Sequence, residues 1–69
     1  MYSLNINLKN HVQIAVNKLG GPTKASNILN VSNAAIHRWI GGQRIPDIDL
    51  ARKAAELTGM KLEQLRPVE

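Results

Sequence analysis

Residues 2–8 alternate, with Tyr2, Leu4, Ile6 and Leu8 on one side and Ser3, Asn5 and Asn7 on the other, the period of a short strand or an extended arm. The other reading of this leader is a frayed terminus that runs into a helix. From about 9 to 19 the spacing becomes helical. Val12, Ala15, Val16 and Leu19 recur at steps of three and four, and Gly20-Gly21-Pro22 ends the pattern. Two short helices are predicted next, over 23–30 and 32–40, with Ile28, Leu29, Val31, Ala35, Ile36 and Trp39 as their apolar contacts. The run Gly41-Gly42-Gln43-Arg44-Ile45-Pro46 predicts a loop. A fourth helix over 47–58 turns Ile48, Ala51 and Ala55 inward, with Leu50, Ala54 and Leu57 beside them, and stops at Gly59. A last short helix over Leu62–Leu65 ends at Arg66-Pro67. The pattern is that of one all-α domain over 9–67 behind a leader at 1–8.

The middle of the chain carries the most information. Thr23 and Ser32 are short hydroxyl residues placed to cap the two central helices by accepting an orphan N–H. Between the helices stands Asn30, and Asn is second only to Gly in accepting the left-handed backbone that a sharp corner requires. Ser26 is small where two crossing helices come closest. Two short helices meeting at a tight corner, the second with polar and basic side chains turned outward, is the layout of a helix-turn-helix DNA reader. The outward residues are Asn33, Ala34, His37 and Arg38.

Composition narrows the picture. At 69 residues the chain has room for one domain only, near the lower size at which a core holds without staples. There is no cysteine, which excludes disulfides, thiolate metal sites and thiol redox chemistry. Neither a membrane span nor a signal peptide is readable, so a cytoplasmic location in a bacterial or phage-infected cell is expected. The formal charge of +4 is unevenly spread. Residues 1–46 hold Lys9, Lys18, Lys24, Arg38 and Arg44 and no carboxylate, whereas residues 47–69 are close to neutral. An acid-free segment suits a polyanion, because it avoids like-charge repulsion and releases condensed counterions. The same pattern also fits a solvated face that keeps a small domain soluble.

The order of motifs supports a resemblance. Gly-Gly-Pro-Thr-Lys-Ala, then Asn-Val-Ser-Asn-Ala-Ala-Ile-His-Arg-Trp, then Gly-Gly-Gln-Arg-Ile-Pro, then Ala-Glu-Leu-Thr-Gly-Met-Lys-Leu-Glu-Gln-Leu-Arg-Pro, over about residues 11–67, together resemble the Cro/CI helix-turn-helix superfamily. Within it the chain is most similar to small prophage Cro-like regulators of the YdaS type. The chain departs from the family pattern at Asn30, where Gly is usual, and at Ser26, where Ala is usual. The resemblance implies a compact five-helix, lambda-repressor-like domain that binds DNA sequence-specifically, such as a repressor of a phage or prophage operator. It also implies that Ser32, Asn33, Ala34, His37 and Arg38 line the face of a recognition helix, about 32–40, that enters the major groove.

The chemistry of those side chains suits that role. Arg38 can donate two hydrogen bonds to guanine O6 and N7, Asn33 can pair with adenine N6 and N7, Ala34 can touch a thymine methyl, and His37 can donate to a base or phosphate. Each also has a plainer reading: Arg38 as a phosphate contact or a solvated cation, Asn33 as a supplement to the Ser32 cap, His37 as a surface histidine. Trp39 is expected in the core. Phosphate contacts are expected from Thr23 and Lys24 at a helix N-terminus and from Gln43 and Arg44 in the Gly-Gly loop. Arg44 has the alternative of pairing with Asp47 or Asp49. No cofactor or metal is expected, since His11 and His37 sit on different helices without Cys or an acidic cluster nearby. No nucleophile–base pair or phosphate-cradling loop points to an enzyme. The expected partner is double-stranded DNA, bound as a homodimer that two half-sites would require. The alternative is an antitoxin or protein-interaction module built on the same fold.

Overall fold

The computed structural model of the chain describes residues 10–66, and the expected arm at 2–8 lies outside them. Five helices follow in order: α1 (His11–Lys18), α2 (Pro22–Leu29), α3 (Asn33–Gly42), α4 (Ile48–Thr58) and α5 (Leu62–Leu65). No strand occurs among the described residues. Each expected helix is therefore present, with its ends corrected by local chemistry.

α1 starts at His11 rather than at residue 9 because the Asn10 side chain caps it, accepting the Gln13 N–H at 3.1 Å. α2 starts at Pro22 rather than Thr23. Proline suits the first helical position, since its φ is preset and its missing N–H would have had no partner there. Gly21, with φ 106°, takes the cap position, and Thr23 lies inside the first turn without capping. Ser32 does cap α3, its Oγ accepting the Ala35 N–H at 3.1 Å. Asp47 caps α4 by accepting from Asp49 and Leu50.

Three helices in succession end in the same way. The N–H of Gly21 reaches Val16, that of Val31 reaches Ser26 and that of Arg44 reaches Trp39, each spanning five residues back at about 3 Å. These Schellman closures place Gly20, Asn30 and Gln43 at positive φ, of 104°, 58° and 57°. Asn30 thus makes the corner as expected. Gln43 does so unexpectedly: the Gly41-Gly42 pair is the last part of α3, not a loop, and the left-handed residue comes just after it.

The core joins Val12, Ala15 and Val16 of α1, Ala25 and Leu29 of α2, Ile36 and Trp39 of α3, Ala51, Ala54 and Ala55 of α4, and Leu65 of α5. Ile45, between α3 and α4, is also buried, and its N–H donates to Leu65 O at 2.8 Å. Three expected core residues stand outside instead: Ile28, Ile48 and Leu57 are 40%, 37% and 52% exposed. On α4 the inward stripe is all alanine, so the helix beds closely on its neighbours and larger residues beside the stripe remain at the rim. Ser26 is buried at the α2–α3 corner, and its hydroxyl is satisfied by donating to Thr23 O at 2.7 Å.

Candidate nucleic-acid interface

α3 is a two-sided helix fixed at both ends. Ile36 and Trp39 are buried, while Asn33, Ala34, His37 and Arg38 are exposed, with Gly41 and Gly42 continuing the exposed side one turn on. The start is held by Ser32 and the end by the Gln43 closure. A further tie acts at the end: Asn10 Nδ2 donates to Ile40 O at 2.9 Å, so one side chain caps α1 and clamps the last turn of α3. Sequence reading missed Asn10. The available signal was an Asn just before a helical run, although its second bond, thirty residues away, has no sequence signature.

The exposed side chains of α3 are free to act. Within the described residues Asn33, His37 and Arg38 make no side-chain hydrogen bond, and Arg38 has no carboxylate partner. Ser32 differs, because its oxygen already accepts the Ala35 N–H, which leaves its hydroxyl hydrogen and one lone pair for an outside partner. Five residue types thus stand on one helix and its cap as a row of donors, a methyl group and an imidazole, with no acid among them.

Two flanking groups carry the other candidate residues. At the start of α2 the amides of Thr23 and Lys24 precede the first intrahelical bond, Ala25 N–H to Gly21 O at 2.9 Å, and accordingly point out of the helix end. Lys24 is steered by its neighbour: a Cβ on Gly20 would come within 2.7 Å of Lys24 Cδ, so the lysine stem lies over the bare glycine. After α3, Gln43 and Arg44 are both exposed. Arg44 is rooted firmly, with its N–H on Trp39 O and the buried Ile45 next to it. The alternative pairing of Arg44 with Asp47 or Asp49 is not made. Asp47 is engaged with the α4 backbone, and the ion pair among the described residues joins Asp49 to Arg52 at 3.9 Å.

The stretch of chain that forms these elements carries charge of one sign. Between Asn10 and Pro46 the chain carries Lys18, Lys24, Arg38 and Arg44 without any Asp or Glu, and the carboxylates begin at Asp47. Among the described residues no three His, Asp or Glu side chains converge as metal donors, and no helix is long and apolar enough to cross a membrane. Compared with protein-family models, with curated proteins and with solved structures, the chain matches none.

Proposed function

We propose that this protein is a sequence-specific DNA-binding regulator, a Cro-like repressor in which α3 reads the major groove. One observation carries the reading: a capped helix, packed by Ile36 and Trp39, presents Asn33, Ala34, His37 and Arg38 outward in the acid-free part of the chain. Recognition by a helix requires base-reading side chains on an unobstructed face and a rigid seat beneath them, and both features are present. In this reading Arg38 pairs with guanine, Asn33 with adenine, Ala34 packs on a thymine methyl, and His37 and the Ser32 hydroxyl donate to base or phosphate acceptors. The Thr23 and Lys24 amides, Lys24, Gln43 and Arg44 grip phosphates on either side and set the register without reading sequence. The motif order that resembles the Cro/CI superfamily supports the same conclusion.

The test compares wild type with an Asn33→Ala/His37→Ala/Arg38→Ala variant on DNA flanking the protein's own gene and on random DNA, at low and moderate salt. Wild type is expected to prefer the flanking DNA by on the order of a thousandfold, and the variant to keep only weak, salt-sensitive binding. Equal binding by both proteins, or none by either, overturns the proposal and turns the search to a protein partner.

A further inference from the structure

Ile40 lies between two sets of candidate contacts. His37 and Arg38 precede it on the outward face of α3, while Gln43 and Arg44 follow it just past the helix end. The backbone that joins the two sets is weak by itself. Its last helical residues are Gly41 and Gly42, and glycine is among the poorest helix formers. Gln43 beyond them holds a left-handed conformation. Two backbone bonds close this end, Gln43 N–H to Ile40 O at 3.2 Å and Arg44 N–H to Trp39 O at 3.1 Å. A third bond comes from outside the helix and is shorter than either: Asn10 Nδ2 donates to the same Ile40 oxygen at 2.9 Å. Asn10 is itself fixed, since its Oδ1 accepts the Gln13 N–H at 3.1 Å in the first turn of α1. One planar amide thus uses its acceptor on α1 and its donor on α3.

A helix cap needs only an acceptor, and serine or aspartate supplies one as well as asparagine does. The donor is what sets asparagine apart at this place. We propose that Asn10 is a positioning residue for DNA recognition, its carboxamide N–H holding the end of α3 so that Arg38 and the Gln43–Arg44 pair keep a fixed spacing. This role rests on the DNA reading proposed above and adds to it a residue remote in sequence from the recognising face. A specific complex needs base and phosphate contacts made together, because the phosphate contacts fix the register in which bases are read. A sequence-independent complex needs only the phosphates. Releasing the end of α3 therefore lowers preference for the specific site while sparing affinity for random DNA. The net contribution of one hydrogen bond sets the size of the effect, roughly three- to tenfold.

Asn10→Ser separates the two tasks, because it keeps a neutral acceptor for the Gln13 N–H and removes the donor to Ile40. The experiment measures the affinity of the full chain and of this variant for DNA flanking the protein's own gene and for random DNA, together with amide hydrogen exchange of the free proteins. Asn10→Ser is expected to lower the ratio of specific to random affinity by roughly three- to tenfold, with random affinity as in wild type. Exchange at the Gln43 and Arg44 amides is expected to quicken by a similar factor while the α1 amides exchange as before. Asp47→Ala, which removes a cap from α4 and leaves the bonds at the α3 end in place, is expected to keep the full ratio. A ratio lost equally in Asp47→Ala makes the effect one of general stability and overturns the proposal. Exchange at Gln43 and Arg44 that stays at the wild-type rate overturns it as well, whatever the DNA shows. Full retention of the ratio by Asn10→Ser, when wild type does prefer the flanking DNA, overturns the role of Asn10 and leaves the DNA reading standing. A wild type that prefers no DNA overturns the DNA reading itself and the role of Asn10 with it. Should Asn10→Ser not fold, Asn10→Asp also keeps the cap and serves in its place, its added charge cancelling in the ratio.

Discussion

Glycine, asparagine and glutamine perform the same backbone task in this chain, and the residue chosen at each place says what else the place must do. Gly20 is required by its φ of 104°, and a Cβ there would in addition push the flexible Lys24 stem aside. Gly41 and Gly42 are required by neither criterion, since both lie in α3 at ordinary helical φ and a Cβ on either would meet nothing within 4 Å. Gln43, by contrast, holds a left-handed conformation that costs a side-chain-bearing residue roughly 1–2 kcal/mol. Gly41→Ala and Gly42→Ala are expected to stabilise the fold by about 0.5–1 kcal/mol each, and Gly20→Ala to destabilise it by more than that, as read by chemical denaturation. If the bare turn lets α3 lie close to DNA, the same alanines will weaken binding while raising stability. Arg38 and the flanking cations separate at this scale as well. Arg38→Ala is expected to cost about 1–3 kcal/mol on the specific site and to relax preference at one base pair, whereas Lys24→Ala or Arg44→Ala weakens all sequences alike and lowers the salt slope by about one unit. Three equal effects on specific and random DNA would show that base reading and phosphate gripping are not divided in this way.

Helix ends, more than helix interiors, decide how these elements meet. Asp47 satisfies two N–H groups of α4, and Asn10 satisfies one of α1 while holding the Ile40 carbonyl of α3. Asp47→Ala is expected to cost about 1 kcal/mol, the usual loss of an N-cap. Asn10→Ala is expected to cost at least as much, and hydrogen exchange should show its effect at the Gly41–Gln43 amides as well as in α1. Protection unchanged in α3 would mean that the Ile40 bond contributes nothing. The number and order of helices were legible in the 3.6-residue spacing of Val12, Val16, Leu29, Ile36 and Ala51, and the corner was legible in Asn30 and Ser32. The end of α3 was not: two adjacent glycines look like a loop, and what keeps them helical is a closure at Gln43 and a side chain from another helix. The start of α2 went astray for a local reason, because Thr23 is a good cap but Pro22 is a better first residue. Ile45 was hidden because a buried side chain within a polar loop has no periodicity to betray it. The outward face of α3 was readable, since it is the complement of Ile36 and Trp39, whereas the rooting of Arg44 depended on the unseen Ile45.

The molecule measures about 34 × 27 × 20 Å, and its charges are unevenly divided along the chain. The stretch from Asn10 to Pro46 has cations only, and α4 and α5 with their caps hold the described carboxylates. Trp39 sits where α3 meets the core, with 7% of its surface exposed. Trp39→Ala is expected to cost about 3–5 kcal/mol, comparable to the whole stability of a domain this small, so a cooperative thermal transition should vanish. Survival of that transition would show that the seat beneath α3 has other support. The charge layout has a kinetic consequence. At physiological ionic strength, fields fade over about 8 Å, a fraction of the molecule's length, so a polyanion senses the nearer face far more than the distant one. If DNA is the partner, as proposed, a chain approaching it with the near-neutral α4 and α5 foremost would feel little pull, while one presenting the acid-free elements would be drawn in. Under the proposed function the protein would thereby be turned before it touches, and encounters would begin at the acid-free elements. On the same proposal, reversing the exposed Lys18 should slow capture without altering how long a bound complex lasts, because that residue lies outside the proposed grip.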